Sequence, residues 1–300
     1  MYFRKVRALF LVVCFAYVLT GCATAPQIDD EPNPEERQAT IATTLRLAES
    51  EFQLQRYPAA LLKYEQVIEL EPDNRQARLG AANSARELGS YDSAVEYFDI
   101  LLAKDEQDIE AMEGKAITLL GAGDYENART LLQDIVSRDD SRWRAFNALG
   151  VLADLDGDFT LSFDYYHRAL ALEPKNVLVM NNLGYSQIMS HEYAKAEAIL
   201  AKGLAIEPGY FRVRNNLAIA LSWQKKYQEA LDVLAAKLPY AVACNNVGYI
   251  AMLNEDYDSA KYYFKMAISS STRFYVEAAK NLDRVEKKQE ALRRVGSFVD

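Results

Sequence analysis

One aromatic residue returns along this chain at a fixed interval. Tyr57, Tyr91, Tyr125, Phe159, Tyr193 and Tyr227 stand 34 residues apart, and Tyr257 follows after 30. A period of this length marks a stack of similar supersecondary units. Other positions keep the same phase. Nine residues before each aromatic anchor sit Ala48, Ala82, Ala116, Gly150, Gly184, Ala218 and Gly248. Three residues after it sit Ala60, Ala94, Ala128, Ser162, Ala196, Ala230 and Ala260. All fourteen are small. Apolar residues flank them at helical spacing, as in Tyr64, Val67 and Leu70, or Phe98 and Leu101. Each unit therefore reads as two antiparallel helices, A and B. The small residues let the axes approach closely and the anchor fills the gap beside them. One such pair cannot bury both of its faces, so neighbouring pairs must stack.

The period and the small-residue positions resemble the tetratricopeptide repeat. The resemblance implies an all-α fold, a right-handed solenoid of about seven helix pairs over residues 39–271. Residues 272–300 would add a capping helix and tail, because "RFYVEAAKNLDRVEKKQEALRRV" is amphipathic with a charged outer side. Pro72, Pro174 and Pro208 fall fifteen residues after their anchors and should end a B helix. Glu106 and Asp140 stand at the matching places in the second and third repeats. Phe159 and Ser162 depart from Tyr and Ala in the fourth. The last interval lacks four residues, about one helical turn. That predicts a shortened B helix near Leu231–Lys237 and a tight turn at Pro239.

The first 21 residues read differently. Arg4, Lys5 and Arg7 precede the apolar stretch "ALFLVVCFAYVL", which is too short for a membrane-spanning helix. "LTGC" at Leu19–Cys22 then resembles the lipobox of bacterial lipoproteins. The resemblance implies a signal peptide over 1–21, cleavage before Cys22 and a diacylglycerol on its thiol. Two or three acyl chains would give stable anchoring. Ala23 after the cysteine implies, by the same likeness, the outer membrane of a Gram-negative host, facing the periplasm. Cys14 leaves with the leader and Cys22 carries lipid, so Cys244 has no disulfide partner. Residues 22–38 read as a flexible tether, since "ATAPQIDDEPNPEE" is rich in Pro and acid.

Asparagines recur on the A helices. Asn147, Asn181, Asn215 and Asn245 share one phase, and Asn182, Asn216 and Asn246 the next. Asparagine is a poor helix former, so packing alone does not ask for it. In tetratricopeptide proteins with an asparagine ladder, A-helix amides in the groove hold an extended peptide by its main chain. An amide offers both donors and an acceptor for that task. The family's groove positions point to Asn182, Asn216 and Asn246, with Tyr185, Ile219 and Tyr249 as walls. Arg144 and Arg212, one turn earlier, would take a carboxylate. The alternative is that these amides bond to the preceding repeat's backbone and only set the twist. Arg46, Gly80, Gly114 and Ala148 hold the second phase in the first four repeats, so a groove would lie in the C-terminal half.

Nothing else in the sequence carries chemistry. His167 and His191 belong to no cluster with metal-ligand spacing. There is no phosphate loop and no nucleophile elbow. A formal charge of −9 argues against nucleic acid. The expectation is a protein that is not an enzyme. It would need no cofactor beyond the lipid on Cys22 and no small-molecule substrate, and its partners would be proteins. The lipobox, acidic spacer and "NNLG" helices together resemble the lipoproteins of tight-adherence (Flp) pilus assembly, the TadD family. That likeness implies pilotin-like support of an outer-membrane secretin. A type IVa pilus pilotin, or an envelope adaptor for peptidoglycan hydrolases or proteases, are the alternatives.

Overall fold

The structure is a computed structural model that describes residues 33–273 and 275–296. Its helices pair in chain order. The first three repeats are α1 (Pro34–Gln53) with α2 (Tyr57–Leu70), α3 (Arg75–Glu87) with α4 (Tyr91–Lys104), and α5 (Ile109–Ala122) with α6 (Tyr125–Arg138). Next come α7 (Trp143–Leu155) with α8 (Phe159–Leu172), and α9 (Val177–Met189) with α10 (Tyr193–Ile206). The last are α11 (Phe211–Trp223) with α12 (Tyr227–Ala235), and α13 (Tyr240–Leu253) with α14 (Tyr257–Ser270). A final helix, α15 (Val276–Gly296), closes the stack. No strand occurs among the described residues.

Each aromatic anchor is the first residue of a B helix. All fourteen small positions are buried. The B helices run 14 residues, except α12, which has 9. The missing turn falls where the sequence places it, and Pro239 caps α13. Pro72, Pro174 and Pro208 follow helices that end two residues earlier, as expected for the residue before proline. Where proline is absent, the aspartate one residue before its place closes the helix instead. The backbone N–H of Gln107 donates to Asp105 Oδ1 at 2.9 Å, and that of Ser141 to Asp139 Oδ1 at 3.0 Å. These Asx turns stop α4 and α6 at the same phase. Buried Arg78 and Arg214 seal other helix ends. Arg78 donates to the carbonyl of Pro72, and Arg214 to those of Pro208 and Val233. Carbonyls left open at a helix end thereby gain donors.

Two boundaries differ from the sequence reading. The helix α1 begins at Pro34, inside the segment read as tether. Asn33 Oδ1 accepts from the N–H groups of Glu35 and Glu36 at 2.9 and 3.0 Å. Pro34 occupies the first helical position and the two glutamates favour the positive end of the helix dipole. That start signal outweighs the acidic composition. At the other end, α15 begins at Val276 and buries Ala278 and Val285 completely. Cys22, the residues read as a signal peptide (1–21) and most of those read as a tether lie outside the described residues.

The backbones of consecutive A helices approach one another from α1 to α15. Among the described residues, B helices meet only through long side chains, as where the Tyr97 hydroxyl of α4 donates to Glu65 of α2 at 2.9 Å and the Tyr227 ring of α12 lies 6.0 Å from that of Tyr263 in α14. The stack therefore curves with the A helices on its tight inner side. The apolar core is a series of clusters along this curve, the largest running from α9 to α15.

Candidate peptide-binding groove

The asparagines form rungs between A helices. Asn182 Nδ2 donates to Asn147 Oδ1 at 2.9 Å, and Asn216 Nδ2 to Asn181 Oδ1 at 3.0 Å. Asn181 Nδ2 in turn lies 3.4 Å from Asn182 Oδ1. A further rung joins Asn281 of α15 to Asn245 Oδ1 at 3.2 Å. In each rung a second-phase amide reaches back to a first-phase amide. The partner is a side chain, not the backbone, and both phases face the seam between repeats. Asn281 escaped the sequence reading. Its signal is its distance from Phe264: 17 residues, against 16 from Tyr166 to Asn182. By this contact α15 acts as an eighth A helix.

The rungs begin at α7 for a steric reason. A methyl group added at Gly80 would collide with the Tyr64 ring, and one at Gly114 with Phe98. In those repeats the bulky B-helix residue leans forward into the next repeat's second phase. At Gly150, Gly184 and Gly248 the collisions would be with Tyr166, Leu200 and Phe264 of the same repeat. There the bulky residue leans into its own A helix. The next repeat's second phase is then free for an amide: Asn182, Asn216 and Asn281.

The inner face also changes polarity along the chain. Tyr185 and Tyr249 are exposed, with Ile219 half-buried between them in sequence. One turn further on, Leu155, Met189 and Leu253 are exposed and Trp223 is half-buried. The Trp223 ring stacks on Tyr193 at 5.5 Å. Matching positions in the first three repeats hold Glu49, Asn83 and Ile117, then Gln53, Glu87 and Gly121. The second apolar column, from Leu155 to Leu253, was not read from the sequence, although its phase is regular. Arg144 and Arg212 are exposed and form no ion pair with described residues. The Arg144 guanidinium lies 4.7 Å from the centre of the Trp143 ring.

Models of the tetratricopeptide repeat match residues 45–109, 114–177 and 187–244, together more than half of the chain. The chain is a tetratricopeptide-repeat protein. Proteins of this family serve as scaffolds for protein–protein interaction. Among solved structures, a thermophilic repeat protein of Thermus thermophilus is 23% identical, with a TM-score of 0.56. The match covers 60% of this chain and 98% of that one. A tetratricopeptide repeat protein from Parabacteroides merdae is 15% identical, covering 83% and 99%, with a TM-score of 0.53. A chain of the Cut9–Hcn1 hetero-tetramer of the APC/C is 17% identical, covering 86% and 51%, with a TM-score of 0.58. These likenesses are of fold. No curated protein matches the chain.

Two polar sites lie inside the tetratricopeptide stack. Ser162 replaces alanine at a fully buried position, and its Oγ lies 2.9 Å from Ser186 Oγ. Ser186 and Tyr166 donate to the two oxygens of Asp154. Burial first, then the Asp154 charge, pushes the Tyr166 hydroxyl far above its ordinary value, so it remains a donor. Glu113 holds the first asparagine phase in the third repeat and is only 6% exposed. Burial raises the pKa of its carboxyl; Arg144, then Arg142, oppose that rise. Its Oε1 has no hydrogen-bond partner among the described residues. Among the described residues no cluster of three or more His, Cys, Asp or Glu side chains could hold a metal ion. No described helix is long and apolar enough to cross a membrane.

Proposed function

We propose that this chain is a lipid-anchored, non-catalytic scaffold that docks a protein partner on the inner face of its C-terminal repeats. One observation carries the reading: exposed Tyr185, Tyr249, Leu155, Met189 and Leu253 recur at two fixed places on successive A helices, one and two turns beyond the amides. An apolar strip rimmed by amides suits an extended segment, which needs both side-chain contact and main-chain hydrogen bonds. Asn246, exposed and without a hydrogen bond among the described residues, offers both kinds of amide group. Asn182 and Asn216 present their remaining donor and acceptor capacity to the same seam. Arg144 and Arg212 would attract an acidic or C-terminal group. The "LTGC" box supports lipidation at Cys22 and attachment to the outer membrane, facing the periplasm.

The finer role is pilotin-like. The lipid would hold the scaffold at the membrane, and the groove would hold a secretin of a tight-adherence pilus during assembly. The support is the joint occurrence of lipobox, acidic spacer and "NNLG" helices. Deleting the gene and measuring heat-resistant secretin multimers in outer-membrane fractions tests this role. Multimers should fall and pili should be lost; both should return with the parent gene and not with Cys22→Ala. Unchanged multimers and normal pili would remove the pilotin role and leave the docking scaffold.

A further inference from the structure

All A helices run in one direction, so every loop from a B helix to the next A helix lies on one edge of the stack. Neighbouring loops meet there: Arg75 pairs with Asp108 and with Glu110, each at 2.8 Å. The start of α1 belongs to this edge, because Arg37 donates to the carbonyl of Leu70, the last residue of α2. The helix α1 begins fourteen residues before Ala48, whereas α3, α5, α7, α9 and α11 begin seven before their small residues. It therefore projects about 10 Å beyond them. Cys22 precedes Asn33 by eleven residues, a reach of at most about 40 Å. A lipid on Cys22 would be tied to this edge and not to the opposite one.

The edge changes character at the end of α8. From there on, Leu172 and Ile206 end B helices exposed, and Leu178, Phe211, Tyr240 and Val276 are exposed in the first turn of A helices. Phe211 is 55% exposed and Tyr240 45%. Matching places in the second to fourth repeats hold Arg75, Gln76, Glu110 and Arg144, with Ile109 and Trp143 half-buried. Charge changes too. Around the earlier loops Arg75 pairs with Asp108, Lys104 with Asp73, Arg138 with Asp134 and Arg142 with Asp139. In the later loops Lys175, Lys237 and Arg273 are exposed and form no ion pair among the described residues. Glu173 and Glu207 are the acids of those loops.

We infer that this edge of the C-terminal repeats rests on a membrane surface that carries anionic phospholipid. The rings and aliphatic side chains enter the boundary between headgroups and acyl chains, and the lysine and arginine heads stay with the phosphates. The apolar residues stand on successive loops rather than in one groove, and the anchored end of the chain lies on the same edge; a lipid surface meets both. Standing edge-on, the stack keeps its inner face open to a partner beside the membrane. The lipid on Cys22 belongs to the reading above, and the contact inferred here does not require it.

The test takes the anchor away. The chain from residue 22, which holds the whole described stack, carries Cys22→Ser and is sedimented with vesicles. Vesicles of phosphatidylglycerol mixed with phosphatidylethanolamine should bind it at least about tenfold more tightly than phosphatidylcholine alone. Phe211→Ser together with Tyr240→Ser should weaken that binding by at least about tenfold. Lys175→Ala should weaken it by about fivefold, and by less at high salt. Leu88→Ser, at an exposed residue beside the turn from α3 to α4 on the opposite edge, should change nothing. A second readout uses the lipidated full chain in anionic vesicles. Brominated acyl chains should quench a dye placed at Leu178 and leave one at Leu88 bright; this decides the matter if the double variant melts lower than its parent. Binding to neither kind of vesicle, or binding that survives in a folded double variant, overturns the inference. Failure of the vesicles combined with loss of a crosslink to an envelope protein in Phe211→Ser would make the edge a protein interface and would overturn it as well. Vesicle binding by a chain whose Cys22 proves unlipidated in the host would remove the anchor and uphold the membrane contact.

Discussion

Each of the seven turns from an A helix to its B helix contains one residue at positive φ. Gly89, Gly123 and Gly157 take it in the second, third and fourth repeats. Gln55, His191, Lys225 and Glu255 take it elsewhere, at φ values from 57° to 63°. A side chain in this region costs about 1–2 kcal/mol. The turn persists because its geometry closes the helix: the N–H of Lys226 donates to the carbonyl of Leu221, five residues back, at 3.0 Å. Lys225→Gly should therefore stabilise the chain by about 1 kcal/mol, read from urea unfolding. His191→Gly should gain less, because His191 Nδ1 lies 2.6 Å from the Tyr193 hydroxyl and that contact would be lost. Glu113 supports a pH prediction. Its folded-state pKa is raised, chiefly by burial, so the folded chain binds a proton more tightly than the unfolded chain. Stability contributed by the protonated form is lost as pH rises through the range above the ordinary glutamate value. Glu113→Gln should raise the melting temperature at pH 7 and raise it less at pH 5; an equal rise at both would contradict the account. At this scale the sequence was partly legible. The recurring asparagines declared themselves by phase, but their partners did not. Which amide meets which depends on whether Tyr64 or Tyr166 leans forward or back, and that is decided between repeats.

The helices were the most legible level. Anchors mark every B-helix start, each three residues before a buried small residue. The four-residue deletion placed the short α12 in advance. The start of α1 was missed because Asn33-Pro34-Glu35-Glu36 was weighed by composition, whereas its meaning lies in order. The cap was half read. A charged outer face identified α15 as an end, while Asn281 and buried Ala278 and Val285 make it a working member of the stack. Rungs connect elements, so their loss should be felt at junctions. Asn147→Ala should cost about 1 kcal/mol of unfolding free energy, a typical net value for one hydrogen bond. Hydrogen exchange should rise locally in α7 and α9 rather than across the chain. Restoring the missing turn offers the converse test. Four helical residues inserted after Ala235 should bring Asn246 into register with Asn215, slow exchange in α13 and raise the unfolding midpoint. Faster exchange in α13 would show that the short helix is the better-packed arrangement.

Across the whole molecule, two halves share one fold and differ in what they present. The first two repeats offer Glu49, Asn83, Gln53 and Glu87 on the inner face. The C-terminal repeats offer aromatic and aliphatic side chains beside amides. Fold alone would not produce this asymmetry, because the same small residues and anchors run through both halves. The apolar strip is therefore the part of the molecule most directly tied to a partner. Solenoids of this kind present one long face, and binding is spread along it. The direct measurement is photo-crosslinking in cells of the native host. A photoreactive residue would be placed at Tyr185 or Tyr249 on the inner face, and in a control at Tyr262, which is exposed on the B helix α14. Crosslinks from Tyr185 and Tyr249 to one and the same envelope protein, with none from Tyr262, are the expected result. Crosslinking from Tyr262 alone would contradict the account.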